Sequence, residues 1–455
     1  MIEAKNFEAS FELIEKAARA DNAEVEMLVE RAEKFSASYQ KGNPEKFDAS
    51  NSHCAGLRVI AGGFEGYSYS ENLSEPALLD AYKEALKNAQ FTARAGTEGL
   101  QKVELVSDTR AVPENESLRN ESLATLSVAE KLDRAKTLEQ IALEADPRVV
   151  SVPYNGYTEV ESEFQIFNSK GIRRRQRKTT VSGYTYCLAK SGEESRMAGE
   201  SGFSRRSELF DPKHIARVAA ERAVAKLGAT PPETGLYPVV IDAEVASSFL
   251  GLMLDSFSAK SVEEKTSLFG DALGKEIASS KITFTDDPFL ADGPATRAFD
   301  SEGTASQVTP VVVKGRLTNF LTNSVFAKRM KWPNTASASR SARSQLDIGI
   351  SNFVVSPGES TLQQLLARYP KVIYITDFTG YHSGYQSGSG DFSLQSEGEL
   401  WENGKRVRPL CNFVTSGNLK QLLMNVEDLS NRRLTPTSSV IAPDLLVPSL
   451  SIAGK

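Results

Sequence analysis

Histidine and cysteine are both scarce in this chain, with three of each among 455 residues. Cys54, Cys187 and Cys411 stand far apart and no CxxC pair occurs, which argues against a disulfide framework and a zinc ribbon. His53, His214 and His382 lie in three separate segments, none with a second imidazole or thiol at helical ligand spacing. His53 abuts Cys54, but sequence neighbours point different ways, so no zinc site is expected within the chain. An excess of positive charge is missing too. The formal charge of −6 argues against nucleic acid as the main partner, since phosphate binding needs a basic footprint. No apolar run approaches the roughly 18 residues that a membrane-spanning helix requires. The first residues are charged and amphipathic rather than a secretory leader, so a soluble cytoplasmic protein with no membrane contact is expected. Walker and Rossmann fingerprints are absent, and neither Ser383 nor Ser389 has the GxSxG spacing of a nucleophile elbow.

What remains is ordinary globular composition, 40% apolar and 25% charged, in a chain long enough for two domains. The expected fold class is α+β. A mixed helix-and-strand domain over residues 1–230 precedes a mostly antiparallel β domain over residues 235–455, with the Pro-Pro-containing stretch 230–235 as linker. Phe7, Phe11, Ile14 and Ala18 predict a first helix. Val25, Met27 and Val29 predict a strand, and Gly62-Gly63 a hairpin turn within residues 56–70. Ser127 and Glu130 form a capping box ahead of a helix that Asp146-Pro147 stops, and Asp211-Pro212 opens another that Gly228 ends. Strands fill residues 149–205. A basic run there (Arg173, Arg174, Arg175, Arg177, Lys178) reads either as a surface for an anionic partner or as a solvated strand just past a turn. A helical stretch is expected over residues 243–255, and Asn403-Gly404 predicts a type I′ hairpin.

The chain is organised around residues 376–394, TDFTGYHSGYQSGSGDFSL. Glycines and hydroxyl side chains make this a loop that exposes backbone amides and admits close approach of another chain. A surface hairpin loop is the plain reading. A triad of Ser389, His382 and Asp391 is the catalytic alternative. Asp300 and Glu302 form a second acidic pair, which would share a face of a strand or belong to a turn that begins one.

Five segments together carry a family resemblance: FDSEG (299–303), VKGRLTNFLTN (313–323), SGSGDFSLQSEGELWENGK (387–405), SGNLKQLLMNV (416–426) and SLSIAGK (449–455). In that order and spacing they resemble the TldD/PmbA family, also called the modulator of DNA gyrase family. The N-terminal half adds NSKG (168–171). In the TldD branch an HExxxH helix and a late cysteine supply the zinc ligands and general base of a metallopeptidase. Aligned on residues 265–279, that helix falls on residues 250–255, where Leu250, Gly251 and Asp255 replace His, Glu and His. The chain therefore resembles the TldE (PmbA) branch.

The resemblance implies no catalytic residue and no cofactor in this chain, and zinc in a TldD-type HExxxH partner. It implies a shared chamber for unfolded peptide, formed with that subunit or in a homodimer. Peptide binding is then expected at His382, Ser383, Gly384, Ser387, Gly388, Ser389, Gly390 and Asp391. The alternative is a homodimeric peptide-binding protein without protease activity. A third possibility is catalysis by this chain itself through Asp300, Glu302 or His382. A role on DNA has only the family's second name behind it.

Overall fold

Phe7, Phe11, Ile14 and Ala18 are all buried, and helix α1 (Glu8–Ala20) carries that stripe. The computed structural model describes residues 6–94, 102–112, 118–120, 122–432 and 436–455. Six strands follow in the first half: β1 (Ala23–Gln40), β2 (Asn43–Ala61), β3 (Phe64–Ser70), β4 (Val149–Asn168), β5 (Arg173–Ser191) and β6 (Glu194–Ser204). They pair antiparallel in the order β3-β2-β1-β4-β5-β6. Helices α2 (Glu75–Arg94), α3 (Ser122–Thr125), α4 (Val128–Ala145) and α5 (Pro212–Ala225) complete this half.

The two faces of this sheet do different work. Odd-numbered residues of β1 (Val25, Met27, Val29, Phe35, Ala37) pack with α1, α2 and α4 in apolar clusters. Even-numbered residues (Glu26, Leu28, Glu30) meet the second half of the chain instead. The expected capping box forms, with Ser127 and Glu130 bonded reciprocally. Asp211 caps α5 through the amides of Lys213 and His214, a contact worth about 1 kcal/mol.

The second half runs through β7 (Gly235–Ile241), α6 (Ala243–Gly251), α7 (Ala259–Glu263), β8 (Phe284–Asp286), β9 (Thr309–Val313), β10 (Arg316–Leu317), α8 (Ser324–Met330), β11 (Ala338–Ser339), β12 (Asp347–Ile348) and β13 (Phe353–Val355). It ends with α9 (Leu362–Leu366), β14 (Lys371–Thr379), α10 (Tyr381–Gly384), β15 (Asp391–Glu402), β16 (Lys405–Asn418), α11 (Leu419–Asn425), β17 (Asp428–Leu429), β18 (Val440–Ile441) and β19 (Leu445–Ala453). The larger sheet is ordered β16-β15-β14-β7-β19-β17, and β16 also pairs with β19, so five strands close into a ring. A second sheet is ordered β10-β9-β8-β13-β18. One apolar core joins them, with Phe257 packed against Phe269, Phe284 and Phe353. Asn403 (φ 49°) and Gly404 (φ 73°) form the expected left-handed hairpin turn.

The fold is α+β, with several corrections in detail. β1 extends well beyond the alternating residues Val25, Met27 and Val29 that predict it, to Gln40, because its charged residues find cross-strand partners, such as Arg31 with Glu163. The second half is mostly antiparallel, as expected, with two parallel pairs, β7 with β14 and β13 with β18. The helix expected over residues 243–255 stops at Gly251, and residues Leu254–Phe257 form a separate 3₁₀ turn. Glycine weakens the helix at that point, and Phe257 is drawn into the aromatic core. The loop expected over residues 376–394 is shorter, since β14 continues to Thr379 and β15 starts at Asp391.

Candidate functional site

Three places compete as the functional site: the glycine-rich loop between β14 and β15, the end of α6, and the face of the first sheet that meets the second half.

The loop is built from its own hydrogen bonds. Gly380 and Gly390 both take φ of 82°, which a side chain would strain. A Cβ on Gly384 would sit 2.3 Å from the Ser393 carbonyl oxygen, so only glycine lets α10 lie against β15. The Ser389 hydroxyl donates to Asp391 Oδ2 at 2.7 Å, and the Asn418 side-chain amide donates to Asp391 Oδ1 at 2.8 Å and to the Ser389 carbonyl at 3.0 Å. Those donors, Asn418 first, hold the Asp391 carboxyl below the usual range. Asn418 also caps α11. His382, Ser383, Ser387, Gly388, Ser389 and Asp391 are exposed, Gly384 is half-buried and Gly390 is buried. The triad does not form. Ser389 bonds Asp391 directly, with no imidazole between them, and a carboxylate held low is a poor base for a hydroxyl.

At the end of α6, Leu250 is 1% exposed and belongs to the apolar core, Gly251 closes the helix, and Asp255 is exposed on the following turn. Two ligands five apart need a continuous helix to bring them to one metal, and the helix does not reach Asp255. These residues do not fit zinc. Among the described residues, no three His, Cys, Asp or Glu side chains gather as a metal-binding group. The stretch where the family resemblance would put a late cysteine ligand, residues 435–440, holds no cysteine and lies partly outside the described residues.

Asp300 and Glu302 lie in a tight turn, where Gly303 N donates to the Asp300 carbonyl at 2.9 Å. Both are buried, at 1% and 0% exposure. Asp300 accepts from the amides of Glu302, Thr304 and Ala338, while burial and the Glu302 carboxylate push its carboxyl up to about 7. Glu302 accepts from Arg58 at 3.3 Å and from the Ser324 amide at 2.9 Å. Arg58 also meets Glu65 at 3.0 Å and Glu26 at 3.8 Å, and Arg340 meets Glu26 at 2.7 Å. Arg58, Glu26, Glu302 and Arg340 are fully buried, so this network ties the first sheet to the second half. Burial, against the pull of Arg340 and Arg58, raises the Glu26 carboxyl. Glu302 is fully enclosed and Asp300 only touches the wall of the cleft, so the pair is occupied in a structural lock within a turn, which corrects its reading as a catalytic pair.

The basic run is also not a solvated strand. Of its members only Arg175 is exposed. Arg173 lies over the Phe11 ring and meets Glu15, Arg174 donates to the Asp108 and Arg110 carbonyls, and Arg177 pairs with Glu161. Lys178 instead lines a cleft of about 680 Å³ between the halves. Strand register explains that cleft. Ser52, Ala32, Ser162 and Lys178 fall in one cross-strand row, and Cys54, Glu30, Phe164 and Gln176 in the next. The first row is short-chained except at Lys178, so it leaves space. In the second, Phe164 packs on Phe299 and Gln176 accepts from the Ala298 amide at 2.6 Å, which docks the halves. No sequence signal marks this cleft, because its rows join residues more than a hundred positions apart.

Comparison with known proteins covers nearly the whole chain. Residues 25–89 match the PmbA/TldA metallopeptidase domain 1, residues 121–227 its central domain and residues 234–454 its C-terminal domain. The metalloprotease PmbA of Escherichia coli O157:H7 is 25% identical over 438 residues, spanning 96% of this chain and 93% of that protein. A PmbA homolog of Haemophilus influenzae is 26% identical over 439 residues, spanning 94% and 92%. A crystal structure from Thermotoga maritima MSB8, described as a modulator of a DNA gyrase, has a TM-score of 0.91 at 25% identity, over 98% of this chain and 100% of that one. TldE from Thermococcus kodakarensis has a TM-score of 0.88 at 19% identity, over 98% and 100%, a likeness of fold.

Proposed function

The chain belongs to the PmbA/TldD metallopeptidase family, and we propose that within it this protein is a non-catalytic, TldE-like subunit that binds unfolded peptide for a zinc-bearing TldD-type partner. The observation that carries this reading is the end of α6. Leu250 is packed in the core, and Asp255 sits beyond the helix end, so the chain offers no donor set for zinc at the HExxxH positions. The partner supplies zinc and the general base, and this chain supplies peptide-binding surface.

Two features support peptide binding. The loop from His382 to Asp391 presents the exposed hydroxyls of Ser383, Ser387 and Ser389 and the exposed Gly388 beside the start of β15. Along β2, residues 43–53 pair, among the described residues, only with β1, because β3 begins its pairing at Ala55. These residues are exposed, and their outer backbone edge is free to accept an extended chain by strand addition.

The test is metal content and casein hydrolysis by the purified chain, alone and mixed with an HExxxH-bearing relative from the same host. The expected result is an inactive, zinc-free chain that raises the relative's activity on mixing. Stoichiometric zinc or turnover by the chain alone would overturn the subunit reading. For the loop, replacing Ser389 and Asp391 together with alanine is expected to slow turnover by the mixture. Unchanged turnover would remove the loop from the peptide-binding surface.

A further inference from the structure

Three cations meet beside the cleft between the halves, and among the described residues none of them forms an ion pair with a carboxylate. The Lys178 side chain lines the cleft and makes no hydrogen bond there. Arg205 is 1% exposed. Its Nη2 donates to the carbonyls of Gly293 at 2.6 Å and Pro294 at 3.1 Å, while Nε and Nη1 are buried with no acceptor. Arg297 donates from Nη2 to the Ala336 carbonyl at 3.3 Å, and its Nε is also buried without an acceptor. The three groups converge on one segment. Lys178 and Arg297 line the cleft with Ala295, and Arg205 is anchored on the two residues before Ala295. The Thr179 hydroxyl donates to the Arg205 carbonyl at 3.2 Å, which sets Arg205 beside Lys178.

The nearby acids take their hydrogen bonds elsewhere. Glu30 accepts from the Ala342 amide, Glu163 from Arg31 and Arg175, Asp286 from the Ser351 amide and hydroxyl, Asp292 pairs with Arg206, and Asp300 accepts from three amides. Asp286 and Asp300 attract Arg297, and Asp292 attracts Arg205, through space without a direct bond. Buried donors without acceptors are rare in folded proteins, and three of those in this chain, Arg205 Nε and Nη1 and Arg297 Nε, belong to this group of cations. Burial, reinforced by repulsion from Arg205 and Arg297, brings the Lys178 ammonium down to about 7. An anion arriving beside it would restore its proton.

We propose that Lys178, Arg205 and Arg297 form a binding site for one oxyanion, a carboxylate or phosphate group, that enters over the short-chained row Ser52, Ala32 and Ser162. The site does not rest on the peptidase-subunit reading and stands if that reading fails.

Isothermal titration calorimetry of the full chain at about pH 8 tests it, with Lys178 then largely neutral in the free protein. The probes are inorganic phosphate, an N-acetylated dipeptide with a free C-terminal carboxylate, and the same dipeptide as its C-terminal amide. The expected result is saturable binding of phosphate, of the carboxylate dipeptide, or of both, but not of the amide. The more tightly bound probe identifies a free anion or a peptide terminus as the source. Heats measured in buffers of different ionisation enthalpy should show proton uptake on binding. Lys178→Met should weaken binding by about tenfold or more, and Lys178→Arg should bind without proton uptake. Failure of both phosphate and the carboxylate dipeptide to bind at millimolar concentration would overturn the site. So would equal binding of the amide, or a folded Lys178→Met variant that binds like the native chain.

Discussion

The turn at residues 300–302 and the turn at residues 389–391 carry similar chemistry and sit at opposite extremes of burial. Each places an aspartate in a short glycine-adjacent turn and satisfies it with nearby donors. Asp391 keeps its partners in the loop and in the cap of α11, and faces solvent. Asp300 and Glu302 take partners from both halves of the chain and are buried. The difference teaches that an acidic turn is available for binding only where its partners are local. Where the partners come from another layer, the same residues become a lock.

Cutting the lock should give the largest effect. Glu302→Ala leaves Arg58 short of a buried counter-ion and the Ser324 amide without its acceptor, a loss of about 3–5 kcal/mol in urea unfolding. Ser389→Ala with Asp391→Ala should change stability by less than about 1 kcal/mol, since both are exposed. Equal losses would break the contrast. Next in size is the attempt to rebuild HExxxH with Leu250→His, Gly251→Glu and Asp255→His. Placing a polar ring at Leu250 in the core should cost about 2–5 kcal/mol, with no zinc found by elemental analysis. A zinc-loaded variant would show that the helix end can re-form.

Gly384→Ala should cost about 1–3 kcal/mol, because its Cβ meets the Ser393 carbonyl, whereas Gly388→Ala has nothing within 4 Å and should be neutral. Thermal unfolding of the pair checks how tightly the loop is held. The smallest effect is pH-gated. Burial opposes ionisation of Asp108, but Arg110 and the Ala305 amide hold its carboxyl down at about 2. Its folded value lies below its unfolded one, so its contribution is full above about pH 5 and fades as pH falls through about 2. Asp108→Asn should therefore destabilise the chain at neutral pH, and the gap from the native protein should close in acid.

Local pattern made much of the architecture legible. The stripe of α1, the capping box at Ser127, the Asp211 cap and the Asn403-Gly404 turn each depend on residues a few positions apart. The length of β1 was hidden, because residues such as Arg31 read as solvent-facing until Glu163 arrives from a distant strand. The early stop of α6 had one local clue, Gly251, but the pull of Phe257 into the core had none. The loop from His382 to Asp391 was visible by composition, while the bond that disqualifies its triad was not.

The class of the fold and the family could be read from the sequence alone, because those depend on residue identity and short-range order. Only the tertiary structure decided which acids are locked, that the basic run is paired, and that Lys178 opens onto a cleft with Arg205 and Arg297 beside it. Those outcomes depend on strand register and on the packing of one half against the other, which place residues far apart in the chain within bonding distance and withdraw them from water.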